Sequence, residues 1–141
     1  MDDQRIILQM TSTQVQEDGQ EAVVELTTEA TLRKTADSAV LEYEETGDLG
    51  LTGSASIEMK GDTVMLSREG ESSMKLILKQ GCKYVSSYHT PFGRLDMEAL
   101  PTRVMYTMGG SKGHIELEYH MHVQNQYVGL NRVSVSFHPQ A

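Results

Sequence analysis

The chain has no tryptophan, a single cysteine, three prolines and only twelve Lys and Arg among its 141 residues. One thiol, Cys82, cannot form an internal disulfide, so the fold rests on its core and its hydrogen bonds, which suits a reducing compartment. Twelve basic residues against twenty acidic ones leave a net charge of −8, with no basic face for nucleic acid and no cationic patch for an anionic membrane surface. No apolar run is longer than three residues, as in Ile6–Leu8, and this excludes a membrane-spanning helix. The start, Met1-Asp2-Asp3, is acidic where a secretory signal is basic, so a soluble cytoplasmic protein is expected. The lack of Trp removes one common platform for sugars and aromatic ligands. With 38% hydrophobic residues, one domain over 1–141 can bury a core without metal or disulfide staples.

What the chain has instead is period-two alternation from Arg5 to Phe137, punctuated by Gly, Asp and Asn at roughly eight- to twelve-residue intervals, the pattern of an antiparallel all-β domain. In the clearest strand Ala22, Val24, Leu26, Thr28, Ala30 and Leu32 share one face, and Val23, Glu25, Thr27, Glu29, Thr31 and Arg33 the other. A helix would scatter those acids around its circumference, whereas a strand keeps them on one wet side. Strands are predicted over 5–15, 22–33, 39–46, 54–60, 63–69, 73–79, 82–90, 94–108, 114–123 and 127–137. Turns are predicted at Asp18-Gly19, Gly61-Asp62, Gly81, Pro91-Phe92-Gly93, Gly109–Gly113 and Gln124-Asn125-Gln126. The stretch 47–53, with three glycines, is expected to cover one end of a barrel. Pro101 has no N–H to give a ladder, so its strand is expected to bulge, break or lie on an edge there. The same proline cuts short the one segment with any helical claim, Asp96–Leu100. Short connections favour an up-and-down meander, and closing it into a barrel removes exposed edges. A two-sheet sandwich is the alternative that alternation leaves open.

The string Tyr88-His89-Thr90-Pro91-Phe92-Gly93, followed by Leu95 and Met97, resembles the central motif of the YwiB-like proteins, small bacterial β-barrels grouped with the calycins. Segments at 25–29, 41–45, 61–64, 115–119 and 131–133 fall in similar order and spacing, so the resemblance spans essentially the whole chain. It implies a calycin-like (lipocalin-like) up-and-down barrel with little or no helix in a bacterial cytoplasm, and it implies no activity. Lipocalins usually open with a Gly-x-Trp strand; this chain has no Trp, so their ligand preferences do not carry over.

Three constellations stand out. His114, Glu116, Glu118, His120 and His122 share one face of a strand whose other face, Ile115, Leu117, Tyr119, Met121 and Val123, must enter the core. The histidine face is therefore expected outside, too flat to close a metal site unaided, and no metal or other cofactor is expected. Tyr84, Ser86, Tyr88 and Thr90 share the face of another strand, and Asn131 is in step with Val133, Val135 and Phe137. If these faces point inward, hydroxyls and an amide enter the barrel and need partners, from one another or from a ligand. Eight methionines besides Met1 can line an adaptable apolar cavity or simply fill a core.

No segment carries Gly-x-x-x-x-Gly-Lys-[Ser/Thr] or Gly-x-Ser-x-Gly, and Cys82 has only Lys83 beside it to lower its pKa. The leading expectation is a non-catalytic barrel that binds a small molecule at its mouth and lumen, through Tyr84, Ser86, Tyr88, Thr90, Phe92 and Asn131. The alternative is an interaction module with a filled barrel, pairing with a second copy through an outer face around Ile7, Val15 and Val23 or through an edge strand. An enzyme using Tyr88, His89, Arg94 and Asp96 is disfavoured, because Tyr88 and His89 point to opposite faces.

Overall fold

The computed structural model describes residues 3–46, 52–70 and 73–140. Ten strands follow in chain order: β1 (Gln4–Val15), β2 (Glu21–Lys34), β3 (Ser38–Thr46), β4 (Thr52–Lys60), β5 (Thr63–Gly70), β6 (Met74–Lys79), β7 (Tyr84–Thr90), β8 (Gly93–Gly109), β9 (Lys112–Val123) and β10 (Gln126–Pro139). Among the described residues there is no helix; Asp96–Leu100 is strand, inside β8. Of the loop expected over 47–53, residues 47–51 lie outside the described residues.

Every ladder is antiparallel, and the order β6-β5-β4-β3-β2-β1-β10-β9-β8-β7 is an up-and-down meander whose first and last strands pair side by side. Ile6 faces Pro139 and Val15 faces Leu130 along that junction. The ring closes between β6 and β7, where the contact is sparse. At one end the Ser73 N–H donates to the His89 carbonyl (2.8 Å) and the His89 N–H returns the bond (2.9 Å). At the other end the Cys82 N–H donates to the Lys79 carbonyl (3.0 Å). Between these ties β6 and β7 form no ladder, which leaves a seam in the wall. A second gap opens where β2 leaves β3, since only Thr31–Lys34 pair with Ala39–Glu42.

Alternation decides what fills the ring. The inward set Ile6, Leu8, Leu32, Leu41, Ile57, Met59, Val64, Leu76, Leu78, Ile115, Leu117 and Val135 is fully buried, each side chain contributing about 1.5–3 kcal/mol of burial. This packed half ends at the β2–β3, β4–β5 and β8–β9 turns, where the Tyr106 hydroxyl donates to the Gly61 carbonyl (2.9 Å). Phe137 packs there against Gly113, where any Cβ would collide with the ring and approach the Thr107 carbonyl to 2.8 Å. The opposite end, at the β1–β2, β7–β8 and β9–β10 turns, is looser: Met10, Leu26, Met74, Tyr88 and Val123 are only partly buried. We call that end the mouth.

Pro101 does what its chemistry requires. The register of β8 against β9 shifts between Pro101 and Arg103, and β7 stops covering β8 at Ala99, so the proline sits at a bulge on a bared edge. Its carbonyl, on that edge, accepts from the Gly81 N–H (2.9 Å). A second bulge lies between Tyr127 and Gly129; Gly129 has φ +138° and lies so close to the Val15 carbonyl that no side chain fits.

Candidate functional site

The inner face near the mouth is assembled from five strands. On β7, Tyr84, Ser86 and Tyr88 pair with Ala99, Met97 and Leu95 of β8, of which Met97 and Ala99 are buried, so the hydroxyl-bearing face points inward. All three are half-buried. Asn131 is also on the inner face, in one cross-strand row with Gln14 of β1 and Tyr119 of β9. It stands at the level of Pro101 on β8, six residues along that strand from Leu95, which faces Tyr88. Thr90 and Phe92 belong to the turn instead. The Thr90 hydroxyl donates to the Gly93 carbonyl (2.9 Å) and accepts from the Phe92 N–H (3.1 Å), while the Phe92 ring stands 82% exposed at the tip. The structure therefore brings Tyr84, Ser86 and Tyr88 together, places Asn131 on an adjoining row and leaves Thr90 and Phe92 at the rim.

Among the described residues, the side chains of Tyr84, Ser86, Tyr88 and Asn131 make no hydrogen bonds with one another or with other protein groups. Near them, the Gln14 amide reaches the Val128 carbonyl at 3.4 Å. The inner hydroxyls are thus not consumed by a network of their own, one of the two alternatives the sequence left open.

Two residues that matter here escaped the sequence reading. Arg68 lies on the inner face of β5, in register with Met74 of β6 and Ala55 of β4, on the face shared by Val64 and Leu66. Its place was detectable: it is in step with two apolar residues on a predicted strand. Tyr119 was read only as one more core residue. It is 7% exposed, makes no hydrogen bond among the described residues, and its phenol is pushed up to about 12 by burial, with the positive charge of Arg68 pulling the other way. That charge coupling links the β5 side of the interior to the Asn131 row.

Arg68 is also reached from outside. A cleft of about 220 Å³ opens over the β6–β7 seam, lined by Arg68, Ser73, Met74, Lys75, Ser86 and His89 together with Ser67, Glu69 and Ser87. A larger cleft of about 320 Å³ fills the gap between β2 and β3, but its cations are engaged: Arg33 with Asp3 and Glu42 (both 3.2 Å), and Arg5 with Glu29 (3.6 Å).

The outer face of β9 carries the histidine stripe, and its groups are partnered across the sheet. His120 Nδ1 lies 2.8 Å from the Tyr127 hydroxyl, and the His122 ring packs on the same tyrosine (centroids 5.2 Å apart). Glu118 accepts from Thr102 (2.9 Å) and Arg132 (3.1 Å), which together hold its carboxyl below the usual range. For Glu116, burial pushes upward, but bonds with His114 and Ser134 outweigh it and the carboxyl is lowered. Among the described residues no three His, Cys, Asp or Glu groups are placed to hold a metal ion. His89, Arg94 and Asp96 fall on the outer face, where Arg94 pairs with Asp96 (3.2 Å), opposite to the inward Tyr88. Of the outer apolar residues, Val15 is in a row with Leu130, His120 and Leu100, and Val23 is one row on; Ile7 lies eight residues along β1, opposite His138 and Glu29.

Comparison with known proteins agrees with this architecture. The family described as "Domain of unknown function (DUF1934)" matches residues 8–135. A protein described as "Uncharacterized beta-barrel protein YwiB", from Bacillus subtilis (strain 168), is 24% identical over 123 residues, covering 87% of this chain and 86% of that protein. The crystal structure of the ywiB protein from Bacillus subtilis superposes with a TM-score of 0.86 at 21% identity, covering 99% of this chain and 94% of the other. That likeness is one of fold. The chain belongs to the DUF1934 family, a bacterial family of β-barrel proteins.

Proposed function

We propose that this DUF1934 barrel is a non-catalytic, cytoplasmic container for a small molecule, received at the mouth against the inner face of β7. The observation that carries the reading is a set of inward, half-buried polar side chains, Tyr84, Ser86, Tyr88 and Asn131, without hydrogen-bond partners among the described residues. Half-buried polar groups without a protein partner keep their hydrogen-bonding capacity for a ligand that enters the mouth. Met10, Met74 and Met97 offer adaptable apolar surface beside them. Against catalysis by the set around Tyr88, the sheet itself separates Tyr88 from His89, Arg94 and Asp96.

Native mass spectrometry of freshly purified protein tests this directly. A co-purifying small molecule is expected, released on denaturation and reduced in a Tyr84→Phe/Ser86→Ala chain. The bare polypeptide mass from every preparation, with no small molecule in its denatured extract, argues against the reading.

A second reading has its own observation. Leu130 of β10, Val15 of β1 and Val23 (56% exposed) of β2 lie on the outer face of three neighbouring strands, and Leu100 (41% exposed) of β8 continues the line beyond His120 of β9. Such a stripe suits pairing with a second copy of the chain. Light scattering after size exclusion over a hundredfold range of concentration separates the two readings: a dimer lost in Val23→Lys supports pairing, and a strict monomer removes it.

A further inference from the structure

We propose that the bared edge of β2 takes up, as an added strand, an extended segment of another protein that carries lysine or arginine. The residues involved are not those of the container site, so the two readings stand independently.

β2 is paired to β1 from Glu21 to Leu32 but to β3 only from Thr31 onward. The phase of the β1–β2 ladder decides which groups this leaves bare. The Gln16 N–H donates to the Gln20 carbonyl (2.8 Å) where the hairpin closes, and hydrogen-bonded pairs alternate from there. Ala22, Val24, Leu26 and Thr28 therefore turn their backbone groups to β1, while Val23, Glu25, Thr27 and Glu29 turn theirs to the gap. The β2–β3 hairpin agrees in phase: the Thr35 N–H donates to the Ser38 carbonyl (2.8 Å), which carries Arg33 and Thr31 into the β3 ladder. Among the described residues no backbone group meets the four that face the gap. The Glu29 carbonyl accepts from the Thr28 hydroxyl (3.2 Å), and the other N–H and C=O groups of the four are open.

Such an edge is a template for a further strand. From Glu21 to Ala30 it has no proline, lysine or bulge to turn one away. The bared edge of β8 beyond Ala99 is the contrast. It carries Pro101 and a bulge, and the β6–β7 connection caps it: the Gly81 N–H donates to the Pro101 carbonyl (2.9 Å) and the Val104 N–H to the Gln80 side chain (3.4 Å).

Charge selects the occupant. The residues that offer backbone groups to the gap turn their side chains outward, and two of them are Glu25 and Glu29. Glu29 holds Arg5 (3.6 Å) and accepts from Gln140 (2.7 Å) at the surface, while Glu25 has neither hydrogen bond nor ion pair among the described residues. The cleft in the gap adds Asp3, Glu42 and Glu44 against two arginines, Arg5 and Arg33. A residue paired with Glu25 or Glu29 across the new ladder stands directly opposite on the same face, so lysine or arginine there forms a cross-strand ion pair. A second copy of β2 fits worse. Glutamates recur at 21, 25 and 29, so two such edges laid antiparallel with faces matched set Glu against Glu or crowd the acids diagonally on one face. Each copy also brings a net charge of −8. The edge thus repels its like and attracts a basic strand. On its other face Val24, 64% exposed, gives apolar surface to the alternate residues of the incoming segment.

The test titrates two end-capped peptides into the full, isotopically labelled chain and follows hydrogen exchange at each backbone amide. One is Val-Lys-Val-Thr-Ala-Lys-Val-Thr-Val, whose lysines stand opposite Glu29 and Glu25 when it is laid antiparallel; the other has Glu for both lysines. The lysine peptide is expected to bind about tenfold more tightly than the glutamate peptide. It is expected to slow exchange at Val23, Glu25 and Thr27 and to leave Val24 and Leu26, already in the β1 ladder, unchanged. The lysine peptide N-methylated at alternate residues, which cannot donate to the edge, is expected to slow none of them, and this arm needs no change in the protein. Glu25→Lys, at an exposed position, should weaken the lysine peptide about fivefold and strengthen the glutamate peptide. Equal binding of the two peptides, binding without slowed exchange at those three amides, or no binding overturns the proposal. Slowing at the same amides that grows with protein concentration in the absence of peptide assigns the edge to a second copy and overturns it too. None of these outcomes touches the co-purifying small molecule, by which the container reading is judged.

Discussion

Deleting the Tyr119 hydroxyl should cost the protein almost nothing near neutral pH. Tyr119 is 7% exposed, its hydroxyl makes no hydrogen bond among the described residues, and that oxygen keeps access to water at the surface of the ring. Losing a formed hydrogen bond costs about 0.5–1.5 kcal/mol, whereas an oxygen that meets only water gives up little on removal. Tyr119→Phe discriminates between the two cases. A change of less than about 0.5 kcal/mol is expected, which for a domain of this size moves Tm by less than about 2 °C.

The alkaline limb supplies a second measurement on the same residue. Its phenol is raised in the folded state from 10.0 to about 12, first by burial, with Arg68 acting against it. A raised folded value means that the neutral form is favoured by folding. The associated stability is fully present below pH 10 and is lost as pH rises from 10 towards 12, by at most about 2.7 kcal/mol. Urea melts at pH 8 and pH 11 should show the wild type losing about 1–1.5 kcal/mol more than Tyr119→Phe between those two values; the other five tyrosines are common to both chains and cancel. A Tyr119→Phe chain that melts more than about 2 °C below wild type at pH 8, or that shows the same alkaline slope, refutes the picture of an unpartnered phenol.

Three further outcomes are expected. Gly113→Ala should destabilise by about 1–3 kcal/mol in urea melts, since the new methyl meets the Phe137 ring (2.7 Å to Cε1) and the Thr107 carbonyl (2.8 Å); pairing it with Phe137→Leu should recover part of that loss, and strict additivity would argue against the contact. Phe92→Ser should change Tm by less than about 2 °C, because the ring is 82% exposed at a turn, and a larger drop would mean that the ring packs on something. Glu118 is held below the ordinary carboxyl value of 4.5 first by the Thr102 hydroxyl and then by Arg132, so its contribution is present above about pH 4.5 and disappears as pH falls through the lowered value. Glu118→Gln should therefore flatten the acid limb of a stability profile between pH 5 and pH 2, and an unchanged limb would remove Glu118 from the account.

Most of the fold was legible because strand alternation assigns faces without any knowledge of neighbours. The β9 stripe divided as its sequence required, with Ile115, Leu117, Tyr119 and Met121 buried and the histidines outside. Pro101 produced its bulge for a local reason, a missing N–H. The β6–β7 seam could not be read in this way, since it depends on how far apart two strands lie after the other eight have closed the ring. Arg68 was passed over because a charged residue at the end of a strand is read as solvated, although its parity with Val64 and Leu66 said otherwise.

Facing and height are separate properties, and the second is the one on which the site depends. Val24 and Leu26 have the same parity on β2, yet Val24 is 64% exposed and Leu26 is partly buried, because the β1–β2 hairpin overhangs the ring. The same difference of height sorts the predicted site residues: Tyr84 and Ser86 lie within the wall, Tyr88 nearer its rim and Thr90 in the turn, all with one parity. Alternation selects which side chains enter a barrel, while strand overhang selects which of them meet water, and a binding mouth forms where inward parity coincides with incomplete burial. Tyr84, Ser86 and Tyr88 satisfy both conditions on β7, the strand that forms no ladder with β6, which is why the binding argument converges on its inner face.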